Sequence, residues 1–177
     1  MPGVYWHAHE MLWGFVVTVA VGFLLTAASN WTGVNPLHGP ALGAACVLWL
    51  LARIGFLVPG SVAFGLAAAC ELLFQLIATG AVARAIYGRR SQRNYGVPVL
   101  MAGLAASNAL YRWAIWQGDY ALLMQHFNTG LLCMAVVALL IGRRVIPFFA
   151  SRAVSGLERP NHSVSGQWQM GVGGLAV

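Results

Sequence analysis

Five apolar stretches follow one another with almost no chain between them, and that arrangement leaves few folds open. They cover residues 11–28, 41–58, 61–85, 97–116 and 120–141. Each comes close to, or exceeds, the roughly 20 residues that a helix needs to cross the hydrocarbon core of a bilayer. The connections carry residues that break helices: Asn35-Pro36, Gly39-Pro40, Pro59-Gly60, the run from Asn94 to Pro98, and Gln117-Gly118. Backbone polar groups in lipid must be paired within the chain, so stretches of this length become helices. Only 8% of the 177 residues are charged, far below the roughly 25% of a soluble domain. The pattern predicts an all-α integral membrane protein. Its bundle of about five transmembrane helices occupies residues 1–150 and forms part of a larger multi-span fold.

All ten basic residues are arginine. They gather at the ends of spans, where topology requires them, which argues against nucleic acid as a partner and for the lipid bilayer. Arg84, Arg89, Arg90 and Arg93 follow the third span, and Arg143, Arg144, Arg152 and Arg159 follow the fifth. Only Arg53 and Arg112 lie toward the opposite side. The positive-inside rule therefore places the Arg-rich loops in the cytoplasm and the start of the first span outside. An outside N-terminus with no signal sequence predicts a missing upstream span. Residues 151–177 read as a polar cytoplasmic tail leading into a next span that is cut off at its start. Cys46, Cys70 and Cys133 lie far apart inside helices and read as small packing residues.

The first span opens on His7-Ala8-His9-Glu10. At 100° per residue, His7 and Glu10 share a helix face and His9 stands nearly opposite. Below them Glu10, Gly14, Thr18, Gly22 and Thr26 form a four-residue-spaced stripe of small or polar residues, the kind that admits a second helix. That stripe predicts that His7 points into the bundle and His9 away from it. Two histidines on opposite faces do not share one metal ion; they serve two centres, or one of them is structural. Depth places Arg53, Arg112 and His126 in the outer half of the membrane and Glu71 near its midplane. A lone carboxylate there would cost several kcal/mol, so Glu71 is expected to be protonated or paired, with Arg53 and Arg112 the nearest candidates. The face of Glu71, Gln75 and Thr79 is expected to meet that of Gln125, Asn128 and Thr129. Pro147 is expected to end the last helix.

Two segments carry a resemblance. His7 to Phe15 (HAHEMLWGF), continued by Gly22 to Ala27 and Asn30 to Gly33, and later Gly142 to Phe149 (GRRVIPFF), resemble the NnrS family. Arg93-Asn94 is a weaker third match. Ala150 departs from the pattern, in which threonine is usual. The resemblance implies a multi-span protein of the bacterial inner membrane, associated with nitric oxide metabolism and nitrosative stress and containing haem and copper. It also implies that this chain covers roughly the first half of such a protein, so that the missing half is itself a partner.

Under that resemblance His7, His9 and His126 become the candidate metal ligands, with His7 the first choice. Neutral imidazole is the commonest metal ligand. Two readings of His126 stand side by side: an axial haem ligand, or a core histidine bonded to a neighbouring helix. Arg53 and Arg112 either snorkel to the outer surface or pair with haem propionates. Glu10 and Glu71 would orient ligands or hold the bundle, and Arg144 would anchor the cytoplasmic edge. A small-solute or ion transporter using a buried Glu71–Arg53 pair is the alternative, and a structural membrane subunit is the third reading. No three closely spaced histidines of an oxidase type are present, which leaves enzymatic activity open.

Overall fold

A computed structural model describes residues 3–153 and 171–172, the side chains at positions 144, 147, 148 and 151 excepted. The tail expected over residues 151–177 falls outside this description except for 151–153 and 171–172. The side-chain role expected of Arg144 lies outside it altogether.

Five long helices make up the described chain: α1 (Gly3–Thr32), α2 (Gly39–Leu57), α3 (Ser61–Gly88), α4 (Gly96–Gln117) and α5 (Tyr120–Ala153). Four stretches, Gly3–Thr32, Gly39–Leu57, Ser61–Gly88 and Tyr120–Arg143, are long and apolar enough to cross a membrane. With 22 residues α4 has the length, but Ser107, Asn108 and Arg112 lower its hydropathy, and all three are buried. The expected order of elements is thus observed, with two shifts at their ends. α1 begins at Gly3 rather than Met11, so His7 to Glu10 lie inside the helix and not at its mouth. α5 continues through position 147 to Ala153.

The chain forms two units, Met1–Gly130 and Leu131–Val177. In the first, α3 is the central element and packs against α1, α2 and α4. Its interior is lined by small residues, with Ala28, Ala52, Ala78 and Ala114 fully buried, while Leu50, Ile54, Leu66, Leu73 and Leu76 are exposed. This is the distribution expected where lipid is the solvent: the hydrophobic effect does not drive helices together, and close backbone approach does. A Cβ on Gly55 of α2 would lie 2.8 Å from the Ala67 Cβ of α3, so glycine is what lets the two helices approach closely there. In the second unit the described helix buries Cys133, Val136, Val137 and Leu140, one stripe along its length.

The C-terminus of α1 is set by local chemistry. Gly33 takes a left-handed conformation with φ of 69° and donates its N–H to the Ser29 carbonyl at 2.8 Å. Glycine adopts this geometry without steric cost, which is why helices end on it so often. Thr32 completes the cap by donating to the Ala28 carbonyl at 2.7 Å and accepting from the Val34 N–H at 3.3 Å.

Near its other end α1 departs from α-helical geometry. Glu10–Val16 is a seven-residue π-helical segment, in which the Val17 N–H reaches back to the Leu12 carbonyl. Bonds that close over five residues instead of four set every later residue back by about one wheel position. The stripe expected from Glu10 to Thr26 is broken for this reason. Gly14 is buried, but Gly22 and Thr26 face outward, and the inward face runs instead through Trp13, Val17, Ala20, Leu24 and Ala27.

Candidate functional site

Where the α-helical turn of His9 passes into the π segment, two successive polar side chains turn toward the interior. His9 is fully buried, and Glu10 beside it is half-buried. His7 is exposed. The two histidines do stand on opposite faces, yet the inward one is His9. The assignment of His7 to the interior rested on carrying an unbroken α-helical wheel through Glu10 and Gly14, and the π segment invalidates that step.

Around His9 four helices converge on Glu71. Arg53 of α2 reaches between the two acids, with its Nη1 on Glu10 Oε2 and its Nη2 on Glu71 Oε1. Arg112 of α4 donates Nη1 to Glu71 Oε2 at 2.7 Å, and His9 Nε2 lies 3.0 Å from the same oxygen. Asn108, one turn before Arg112, accepts from His9 Nε2 at 3.0 Å through Oδ1. Its Nδ2 donates to Glu71 Oε2 and to Gln75 Oε1, each at 3.1 Å. Glu71 is only 1% exposed. Two carboxylates thus face two guanidinium groups, and each charge has a partner, as burial away from water demands.

The arginines therefore do not snorkel. Arg53 runs under Gly14, where a Cβ would lie 2.8 Å from Glu10 Oε2 and would also collide with Arg53 Nη1. Glycine at this position is what lets the guanidinium pass. The Gly14 carbonyl accepts from Trp49 Nε1 at 3.3 Å, and the Arg53 guanidinium lies 5.4 Å from the Phe56 ring centre. An aromatic floor supports His9: Phe56, Trp13 and Tyr111 have ring centres 5.1, 5.6 and 6.1 Å from it. Trp13 is seated against Gly130 of α5, where a Cβ would meet its Cζ2 at 2.7 Å.

Several expected partnerships are not observed. The Glu71–Gln75 face meets α1, α2 and α4, and not the polar face of α5, where Gln125 and Asn128 are exposed. His126 is half-exposed, and the hydrogen bonds around Glu71 do not include it. Asn108 is the residue that sequence reasoning missed. Its signal was its position four residues before Arg112, which puts both on one face.

The donor set can be tested against a metal. His9 Nδ1 lies 3.2 Å from Glu10 Oε1, so both ring nitrogens face acceptor oxygens. Both nitrogens are thus engaged with oxygens of the cluster itself. His7 and His126 stand singly, and among the described residues no three of His, Cys, Asp and Glu come together to hold a metal. Among the described residues, His7, His9 and His126 are not gathered into one metal centre. What they build is an ion-paired polar core inside a membrane bundle.

A helical bundle of span-length helices closed around buried, paired charges defines a polytopic membrane protein with an intramembrane polar site. The family model of the NnrS protein matches residues 1–177, and the chain belongs to the NnrS family. No curated protein and no solved structure matches it.

Proposed function

We propose that this membrane protein acts in nitric oxide metabolism or in the response to nitrosative stress, seated in the bacterial inner membrane. The observation that supports the reading is the family match along the whole chain. In this reading the N-terminal end of α1, with His7 and the Glu71 cluster, lies toward the periplasm. The arginines that follow α3 lie toward the cytoplasm. The buried cluster supplies the polar element that such a role needs within lipid, since charges at this depth are costly and are found where function uses them. Haem and copper enter only as what the family implies, and no step is derived through them. The buried Glu71–Arg53 pair also favours a second reading, a path for a small solute or ion.

The test is a deletion strain of the parent organism challenged with a nitric oxide donor. Growth is expected to be impaired and to be restored by the full-length gene. Equal growth of deletion and parent strains over the whole donor range would overturn the reading. Restoration that fails with the donor yet appears under solute limitation would favour the transporter.

A further inference from the structure

About 20 Å along α3 from Glu71, at the helix end remote from the charge cluster, the loop after α1 meets the last turn. Val34 and Pro36 of that loop, with Arg84, Ala85, Gly88 and Arg89 of α3, line an open cleft of about 200 Å³. Pro36 and Ala85 are buried, and both arginines are exposed. Neither guanidinium has a protein acceptor among the described residues, whereas Arg53 and Arg112 are each held by a carboxylate. The helix end does not occupy them either. Its Ala85, Ile86 and Tyr87 carbonyls accept from the N–H groups of Arg89, Ser91 and Arg90 at 3.2, 3.0 and 3.0 Å. Open carbonyls at a helix C-terminus disfavour an anion, and here three of them are already engaged. Arg90 closes the turn with φ of 51°, in a place that glycine usually holds. This corner therefore keeps a third arginine against the local backbone preference.

We propose that this cleft binds a phosphate-bearing anion, held by Arg84 and Arg89 together. A guanidinium group offers its N–H donors in a planar fork that matches the oxygens of a phosphate. Two of them line one cleft, with no carboxylate in its lining to cancel their charge. Basic pockets between helix ends at a membrane surface are where anionic headgroups seat. Val34 and Pro36 give the cleft an apolar side, which suits a phosphate carried on a glycerol backbone. The loop is held in place without a ligand: the Thr32 hydroxyl accepts from the Val34 N–H at 3.3 Å and bonds the Ala28 carbonyl at 2.7 Å. A cleft that exists beforehand spares the ligand the entropy of ordering it. The same chemistry comes from two sources, a phospholipid headgroup or a soluble phosphate. The site is independent of the nitric oxide reading, because it shares no residue with the Glu71 cluster.

The experiment is native mass spectrometry of the purified full-length protein in detergent, titrated with phosphatidylglycerol and, separately, with zwitterionic phosphatidylcholine. Retention of one phosphatidylglycerol in preference to phosphatidylcholine is expected. Arg84→Gln combined with Arg89→Gln is expected to weaken it about 30-fold. Arg143→Gln combined with Arg152→Gln removes the same charge from the end of α5 and is expected to weaken it no more than about threefold. Gly88→Leu fills the cleft while keeping both arginines. A Cβ there meets no atom within 4 Å, so this variant is expected to fold and still to lose binding. Inorganic phosphate added to the same titration separates the sources: displacement of the lipid assigns the site to a soluble phosphate, and persistence of the lipid assigns it to a headgroup. Equal losses in the two charge-matched pairs would overturn the proposal, as would wild-type binding by Gly88→Leu. So would the absence of both a preference for phosphatidylglycerol and any uptake of inorganic phosphate.

Discussion

Replacing Glu71 with alanine is expected to lower the stability of the bundle by about 3–5 kcal/mol, the largest single effect in the molecule. The carboxylate meets Arg53, Arg112 and His9 while 1% exposed. Removing it leaves Arg112 with no acceptor among the contacts described and Arg53 with Glu10 alone. Breaking a buried pair from one side costs in this range because the remaining charge stays buried without compensation. A lone arginine at the centre of a membrane helix costs roughly 2.5–3.5 kcal/mol by insertion measurements, so the two scales agree. Denaturant titration of the purified protein in mixed micelles, followed by circular dichroism, measures the loss. A change of less than about 1 kcal/mol would mean that Glu71 is not the common acceptor of the cluster.

Trp13→Ala is expected to cost about 3 kcal/mol, the low end of the range for emptying a buried tryptophan site. The low end applies because unfolding within a membrane exposes the site to lipid rather than water, which leaves the lost packing as the main term. Trp13 is 1% exposed and wedged between Tyr111, at 4.8 Å between ring centres, and Phe127, at 6.0 Å. Gly130 gives it room, so the hole cannot close without moving α5 toward α1. Trp113 and Trp116, at 53% and 81% exposure, provide the control: alanine at either is expected to change stability by no more than about 0.5 kcal/mol. Thermal unfolding of the three variants in one detergent decides the point. Equal losses at Trp13 and Trp113 would contradict the packing described.

The residues that could be placed from sequence were those whose cost forces a partner. Glu71 lay near the midplane, Arg53 and Arg112 lay about one helical turn away in depth, and a charge at such a position has only its neighbours to turn to. The helices were legible for the same reason, because lipid allows apolar stretches of that length no other structure. What stayed hidden were the choices that cost little. The π segment at Glu10–Val16 carries no proline and no distinctive composition, yet it decides which of His7 and His9 faces inward. Asn108 is a neutral amide in an apolar run, and no charge argument calls it to the centre, although it bridges His9, Glu71 and Gln75. Tyr5, Trp6 and His7 suit a membrane interface as well as a first helical turn, so the start of α1 at Gly3 was not marked. In α5, Gln125 and Asn128 looked like a second polar face, but a polar residue near a helix end can reach the interface without facing the bundle.

The account turns on one carboxylate neutralising charge contributed by separate helices, and a double-mutant cycle between Glu71 and Arg112 tests this most directly. These residues sit on α3 and α4, and among the contacts described Glu71 is the acidic partner of Arg112. Glu71→Gln, Arg112→Gln and the double variant would be compared with wild type by unfolding in mixed micelles. The double variant is expected to be more stable than the sum of the single losses requires, with a coupling of about 1–3 kcal/mol. Single losses that add to within about 0.5 kcal/mol would show the two residues to be independent, and would contradict the cluster as the organising element of this bundle.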